Sequence, residues 1–183
     1  MSTTAPVFAQ TETIVAVSLY DAISLPPASA VKGLRLNLFY GKHDYVSGLE
    51  LGVISHTVYK NTGVLIAGVQ LGHKSSGLRV SLLNVVDEMS GLQLGLLNFN
   101  KFGNGPSLGL VYNEAAIKSV GQQLGLWNMA GESEGIQFGV FNYAAEFEGM
   151  QFGLINVAGK MSDGLQLGLL NFSNGGVFPV LKL

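Results

Sequence analysis

The side chains of this sequence that could do chemistry recur along the chain at a regular spacing. Acidic residues gather at one phase of a repeating pattern, and they are Asp87, Glu88, Glu132, Glu134, Glu146, Glu148 and Asp163. Stacked carboxylates could bind Ca²⁺, which takes roughly six to eight oxygen ligands. The calcium-binding patterns DxDxG and GGxGxD are absent, however, and Lys160 follows Glu146 by one repeat, where the two could pair. We therefore expect a solvated, charged edge that resists aggregation.

Histidine and serine give no clear catalytic pattern. His43, His56 and His73 lie at different phases of the repeat without a nearby second ligand, so we expect them to lie in loops and to bind no metal. Ser81 stands beside Leu82 in an alternating segment and not in a GxSxG turn. The recurring GLQLG glycines lack the Lys-Ser/Thr and the helix that a phosphate-binding loop needs. The sequence therefore predicts no catalytic residue, no metal and no cofactor, and an enzyme is the least expected class.

Side-chain amides recur at two positions of the repeating unit. The glutamines stand third, between glycines, and we expect them to form a flat, outward-facing strip that could be a binding face: Gln93, Gln123, Gln137, Gln151 and Gln166. The asparagines stand eighth, and we expect them to stack as an amide ladder at a bend of the chain: Asn84, Asn98, Asn128, Asn142, Asn156 and Asn171.

The element that must position these side chains is a repeat of the form GLQLGLLN. Its copies begin at glycines 14 to 16 residues apart, and these are Gly33, Gly48, Gly63, Gly77, Gly91, Gly105, Gly121, Gly135, Gly149 and Gly164. The copy at 105–112 places its asparagine one residue late, at Asn113. Apolar residues occupy the second, fourth and sixth positions, which is the alternation of a β-strand, and two glycines in six residues oppose a helix. The second half of each repeat has its own apolar residues, which do not continue the alternation of the first half. This change of phase predicts that the chain turns a corner near the seventh position.

Two all-β architectures agree with this repeat. One is a parallel β-solenoid with about ten coils of 14–15 residues, in which equivalent residues stack. The other is an antiparallel β-barrel with one strand per repeat. Antiparallel strands would favour an odd-even alternation between repeats, and the sequence has none. We therefore favour the solenoid and keep the barrel as the alternative. Trp127 and Phe141, and likewise Phe138 and Phe152, are expected to be neighbours in an apolar core.

Composition limits the class of protein further. The chain has 183 residues, no cysteine, 48% hydrophobic and only 12% charged residues, which excludes a disordered or a disulfide-stapled chain. A net charge of −2 gives no basic face for nucleic acid. No apolar run is long enough for a transmembrane helix.

We expect one domain over 13–183, with an N-terminal cap at 13–32, repeats at 33–173 and a C-terminal cap at 174–183. Val7-Phe8-Ala9 indicates that residues 1–12 are a leader or the remnant of a signal peptide.

An ordered combination of segments accompanies the repeats. In chain order these segments are VSLYDAISLPP (17–27), GLRLNLFYGK (33–42), GLELGVIS (48–55) and NGGVFPVLKL (174–183). The combination resembles bacterial surface repeat-containing proteins. The units at 63–75 and 105–113 depart from the pattern. The resemblance implies export to the cell surface or outer membrane and offers no catalytic residues. We expect a non-enzymatic envelope protein with a structural or binding role through the Gly/Gln face, or alternatively a small outer-membrane β-barrel. Self-association, a surface ligand and membrane association are its expected kinds of partner.

Overall fold

The computed structural model describes residues 12–20, 23–27 and 29–183, and its elements are all β-strands. They are β1 (Glu12–Tyr20), β2 (Ile23–Leu25), β3 (Ala30–Asn104), β4 (Ser107–Leu124), β5 (Trp127–Phe138), β6 (Phe141–Phe152), β7 (Ile155–Ser173) and β8 (Gly176–Lys182). They form one sheet in the order β2-β1-β3-β4-β5-β6-β7-β8. Apart from Glu12, the predicted leader lies outside the described residues.

Consecutive repeats pair in parallel and in register, so the chain is a β-solenoid of about eleven turns. Asn128 pairs with Asn142, and Asn142 pairs with Asn156. This confirms the parallel solenoid and contradicts the alternative of one antiparallel strand per repeat. β3 winds through five repeats, whereas β4, β5 and β6 each end at the fourth position of a repeat, and the next strand begins at the seventh. The corner of the coil therefore lies at the fifth and sixth positions.

Each end of the sheet carries a short antiparallel strand. β2 pairs antiparallel with β1, and β8 pairs antiparallel with β7. β1 itself pairs in parallel with the start of β3, so it belongs to the solenoid as a further coil. Within the predicted N-terminal cap, only β2 departs from the parallel arrangement among the described residues.

The first glycine of each repeat allows the coils to approach closely. In all ten repeats this residue has a positive φ, a region that residues with a side chain rarely occupy. At Gly149, φ is +127° and an added Cβ would overlap the carbonyl oxygen of Gly135, one coil away. Glycine is therefore required at this position by both conformation and space.

The interior of the solenoid is mainly polar, which reverses the expected orientation of the strands. The third position is buried in every repeat, and its residues are Arg35, Glu50, Leu65, Arg79, Gln93, Ser107, Gln123, Gln137, Gln151 and Gln166. A narrow apolar core lies beside them, built from Phe147 and four stacked alanines, Ala115, Ala130, Ala144 and Ala158. The apolar residues of the fourth and sixth positions point outward instead.

Candidate functional site

The glutamine strip lies inside the protein, so the prediction of an outward-facing Gly/Gln binding face is wrong. Gln93, Gln123, Gln137, Gln151 and Gln166 are all at most 2% exposed. The Nε2 of Gln151 donates to the Oε1 of Gln137 at 2.6 Å, and that of Gln166 donates to Gln151 at 2.7 Å. The coil has room for these side chains because glycines flank them. The glutamines hold the coils together and cannot contact a partner.

The asparagine ladder is confirmed. Its members are buried, and each donates to the next across distances of 2.8 to 2.9 Å: Asn84, Asn98, Asn113, Asn128, Asn142, Asn156 and Asn171. Asn113 joins the ladder although the sequence places it one residue late, because a shift in strand register accommodates the extra residue. The Nδ2 groups also donate to backbone carbonyls, as from Asn142 to Phe152 at 2.9 Å.

Replacing Asn142 with leucine should lower the free energy of unfolding by roughly 1–3 kcal/mol. The substitution removes the acceptor of Asn128 and the donors to Asn156 and to the carbonyl oxygen of Phe152, all in a buried site. Urea denaturation followed by circular dichroism measures the change. Asn104→Leu is the matched control, because Asn104 is exposed and lies outside the ladder. Equal stability of the two variants would contradict a stabilising role for the ladder.

A buried group of charges occupies the same inward-facing position in the first half of the chain. Arg35 Nη1 lies 3.0 Å from Glu50 Oε1, and both side chains are fully buried. Glu50 also accepts hydrogen bonds from Asn37 at 2.7 Å and from Asn61 at 2.9 Å. Burial lowers the pKa of Arg79 to about 10, an effect that the charge of Glu50 partly opposes. Sequence reasoning missed this group. The signal was the presence of Arg, Glu and Arg at the position that carries Gln in later repeats.

Charged side chains line one long edge of the solenoid, as the sequence predicts. In β4 to β7 this charged edge consists of Lys118, Glu132, Glu134, Glu146, Glu148, Lys160 and Asp163. Lys118 pairs with Glu134 and lies 3.5 Å from Glu132, and the expected pair of Lys160 and Glu146 is present at 3.8 Å. Among the described residues, no group of three or more acidic, His or Cys side chains is arranged to hold a metal ion.

The histidines lie in strand β3 and not in loops, so that expectation is wrong. His43 is buried, and His56 Nδ1 lies 2.9 Å from the hydroxyl of Tyr40. His73 Nδ1 lies 2.7 Å from a carboxylate oxygen of Asp87. Hydrogen bonds from Lys101 and His73 hold the pKa of Asp87 below its usual value. These pairs join neighbouring coils at different places along β3.

The other long edge of the solenoid is apolar, and it is the candidate functional surface. We define the apolar edge as the fourth and sixth positions of the repeats from Gly33 to Gly164. Every one of these positions carries Leu, Ile, Val or Phe, except Gly68. The side chains in the sixth-position row are 38% to 72% exposed, with Leu110 at the upper limit. Charge is absent from the fourth to seventh positions of all ten repeats, and the charged residues at the neighbouring third position, Arg35, Glu50 and Arg79, are buried inside the coil.

A groove runs along the apolar edge across the last five repeats, with a volume of about 970 Å³. One wall is the fourth-position row, Leu108, Leu124, Phe138, Phe152 and Leu167. The other wall is the sixth-position row, Leu110, Leu126, Val140, Leu154 and Leu169. Glycines of the fifth position form the floor between them, and Val180 of β8 lies at the C-terminal end. The groove is therefore lined almost entirely by apolar groups.

Aromatic side chains extend this apolar surface. The predicted neighbours do lie together, with ring centroids 5.1 Å apart for Trp127 and Phe141 and 6.4 Å apart for Phe138 and Phe152. Their assignment to a core is wrong, however, because Trp127 is 51% and Phe138 is 58% exposed. Burial of the glutamines turns the adjacent Phe138 and Phe152 outward, and burial of the asparagines does the same for the adjacent Trp127 and Phe141.

Within the described residues, no helix is long and apolar enough to cross a membrane. The resemblance to bacterial surface repeat-containing proteins remains a prediction from the motifs of the chain. Comparison of the chain with family models, with curated proteins and with solved structures finds no match.

Proposed function

We propose that this chain is a non-enzymatic, exported protein of the cell surface or outer membrane that attaches to its neighbours through the apolar edge. The observation that carries the proposal is the separation of the exterior into an apolar edge and a charged edge along the same solenoid. Monomeric soluble proteins rarely expose continuous apolar patches larger than a few hundred Å². An edge that runs through ten repeats therefore favours a covered surface in the working protein.

The interior supports a structural role for the solenoid. Ladders of buried amides join each coil to the next, so the coils form a continuous scaffold that presents the apolar edge. Because the glutamines face inward, we assign attachment to the outward-facing fourth and sixth positions in place of the glutamines. Location at the surface or outer membrane is supported by the resemblance of the ordered segments to exported repeat proteins.

Two matched variants test attachment in the cells that express the protein. The edge variant carries Leu110→Lys, Leu126→Lys and Leu154→Lys, all at exposed positions. The control variant carries Glu132→Gln, Glu146→Gln and Glu148→Gln on the charged edge. Each changes the formal net charge from −2 to +1, so a difference between them reflects the edge and not the total charge.

We expect the native chain and the control variant to remain in the envelope fraction after cell breakage, and the edge variant to be released into the soluble fraction. Removing three large apolar contacts weakens attachment, and lysine adds a cost of desolvation. Equal retention of all three proteins would contradict attachment through the apolar edge. Export is tested separately with a membrane-impermeant amine reagent, which should label Lys160 in intact cells. Labelling only after lysis would contradict a surface location.

A further inference from the structure

We propose that the apolar edge binds the apolar edge of a second copy of this chain, giving a symmetric dimer. The inference rests on the proposed function, because it identifies what covers the surface that we assign to attachment. The argument depends on the spacing of the side chains along the edge, on its shape and on its area.

The spacing favours a second copy over other occupants. Successive repeats pair in register, so side chains of one row are separated by about 4.8 Å, the distance between neighbouring strands. A second copy carries rows with the same spacing. Side chains of one copy can therefore fit between those of the other along the whole edge without losing register. The surface of an unrelated globular protein has no such matching period.

The shape of the edge is complementary to itself. Over the last five repeats, the fourth-position and sixth-position rows are two ridges with a groove between them. When two such surfaces face each other, a ridge of one copy can enter the groove of the other, and the twofold operation makes the reverse contact as well. An interface of this isologous kind closes at two copies, so it produces a dimer and not a filament.

The area and the charge of the edge also fit a dimer. Ten repeats at about 4.8 Å make an edge roughly 48 Å long, and the fourth to seventh positions span about 10 Å along the chain. Their product is roughly 480 Å² per copy, so a dimer would bury about 960 Å² in total, which is at the lower limit for a specific interface. Since the fourth to seventh positions carry no charged residue, closing the interface there buries no unpaired charge.

Light scattering after size exclusion of the full chain in detergent-free buffer, over a dilution series, measures the association. We expect the native chain and the control variant to have twice the monomer mass of 19.3 kDa. We expect the edge variant to dissociate, with a dimer Kd raised at least roughly thirtyfold, since central apolar anchors dominate such interfaces. A native chain that is monomeric, or whose mass increases without limit as its concentration rises, would overturn the dimer.

A second measurement keeps the test valid if the edge variant does not fold. The chain has no cysteine, so Leu126→Cys and Glu146→Cys each introduce a single thiol. In the dimer, the thiol at position 126 should react with a maleimide much more slowly than the thiol at position 146, and the difference should disappear on dilution below the Kd. Equally fast reaction at concentrations above the measured association would contradict burial of the apolar edge.

Flotation with vesicles of phosphatidylcholine and phosphatidylglycerol distinguishes failure of the dimer from failure of the proposed function. A monomeric native chain that floats with the vesicles, while the edge variant does not, would overturn the dimer and retain attachment through the apolar edge. A monomeric native chain that neither pairs nor floats would count against both the dimer and the proposed attachment.

Discussion

Alanine in place of Gly149 should lower the free energy of unfolding by at least roughly 3 kcal/mol, because two costs combine. The first is conformational, since φ at this residue is +127°. The second is steric, since the new Cβ would overlap the backbone oxygen of Gly135 and force two coils apart. Separating the coils would also weaken the amide ladders on both sides. Urea denaturation followed by circular dichroism measures the change.

Two glycines of the same chain separate these costs. Gly175 has a φ of +77° and open space within 4 Å of an added Cβ, so Gly175→Ala carries only the conformational cost. Gly103 has its nearest neighbour at 3.9 Å and no positive φ, so Gly103→Ala should be close to neutral. We expect stability to decrease in the order Gly103→Ala, Gly175→Ala, Gly149→Ala. A Gly149→Ala variant as stable as Gly175→Ala would contradict the close contact between coils.

Removal of the buried carboxylate at Glu50 should have a comparable effect, with a loss of roughly 3–5 kcal/mol for Glu50→Leu. The substitution leaves Arg35 as a buried charge without its counter-charge, and it removes the acceptor of Asn37 and Asn61. Chemical denaturation at neutral pH measures the loss. In the control, Glu88→Gln breaks the exposed pair with Lys74 and should cost at most about 1 kcal/mol.

A double variant tests whether the cost comes from the unpaired charge. Leu65 occupies the same inward-facing position one repeat later and is fully buried, so an apolar side chain fits there. Arg35→Leu combined with Glu50→Leu should therefore be more stable than Glu50→Leu alone. A double variant that is less stable than the single variant would show that the leucines do not fit and that packing, not charge, sets the cost.

The repeat spacing was sufficient to predict the solenoid, because parallel stacking requires equivalent residues to recur at one period. Asn142 and its equivalents recur in this way, and the ladder follows from that recurrence. The orientation of the strands could not be predicted in the same way. The alternation of apolar and polar residues defines two faces of a strand but does not say which face is buried. Because apolar residues are usually buried, the sequence predicted Leu and Phe inside.

The detail that reverses this choice is the glycine on either side of each glutamine. Gly149 and Gly153 stand two residues before and two residues after Gln151, and a Cβ at either residue would overlap atoms of the neighbouring coil. The residues on either side of the glutamine must therefore be small, and the glutamine can fill the interior between them. Glu50 follows the same rule, whereas Arg35 has Asn37 in place of the second glycine. The pairing of these two charges depends on contacts between coils that a single sequence does not specify.

The hydrogen bonds of the two ladders run in opposite directions along the solenoid. Each asparagine donates toward the C-terminus, as from Asn142 to Asn156, whereas Gln137, Gln151 and Gln166 each donate toward the N-terminus. In the coils that carry both rows, the amide dipoles of one row therefore oppose those of the other, so that adding further coils of this kind changes their sum little. Lengthening the solenoid would consequently accumulate no macroscopic dipole from its ladders, unlike lengthening an α-helix, whose aligned peptide dipoles add along the axis.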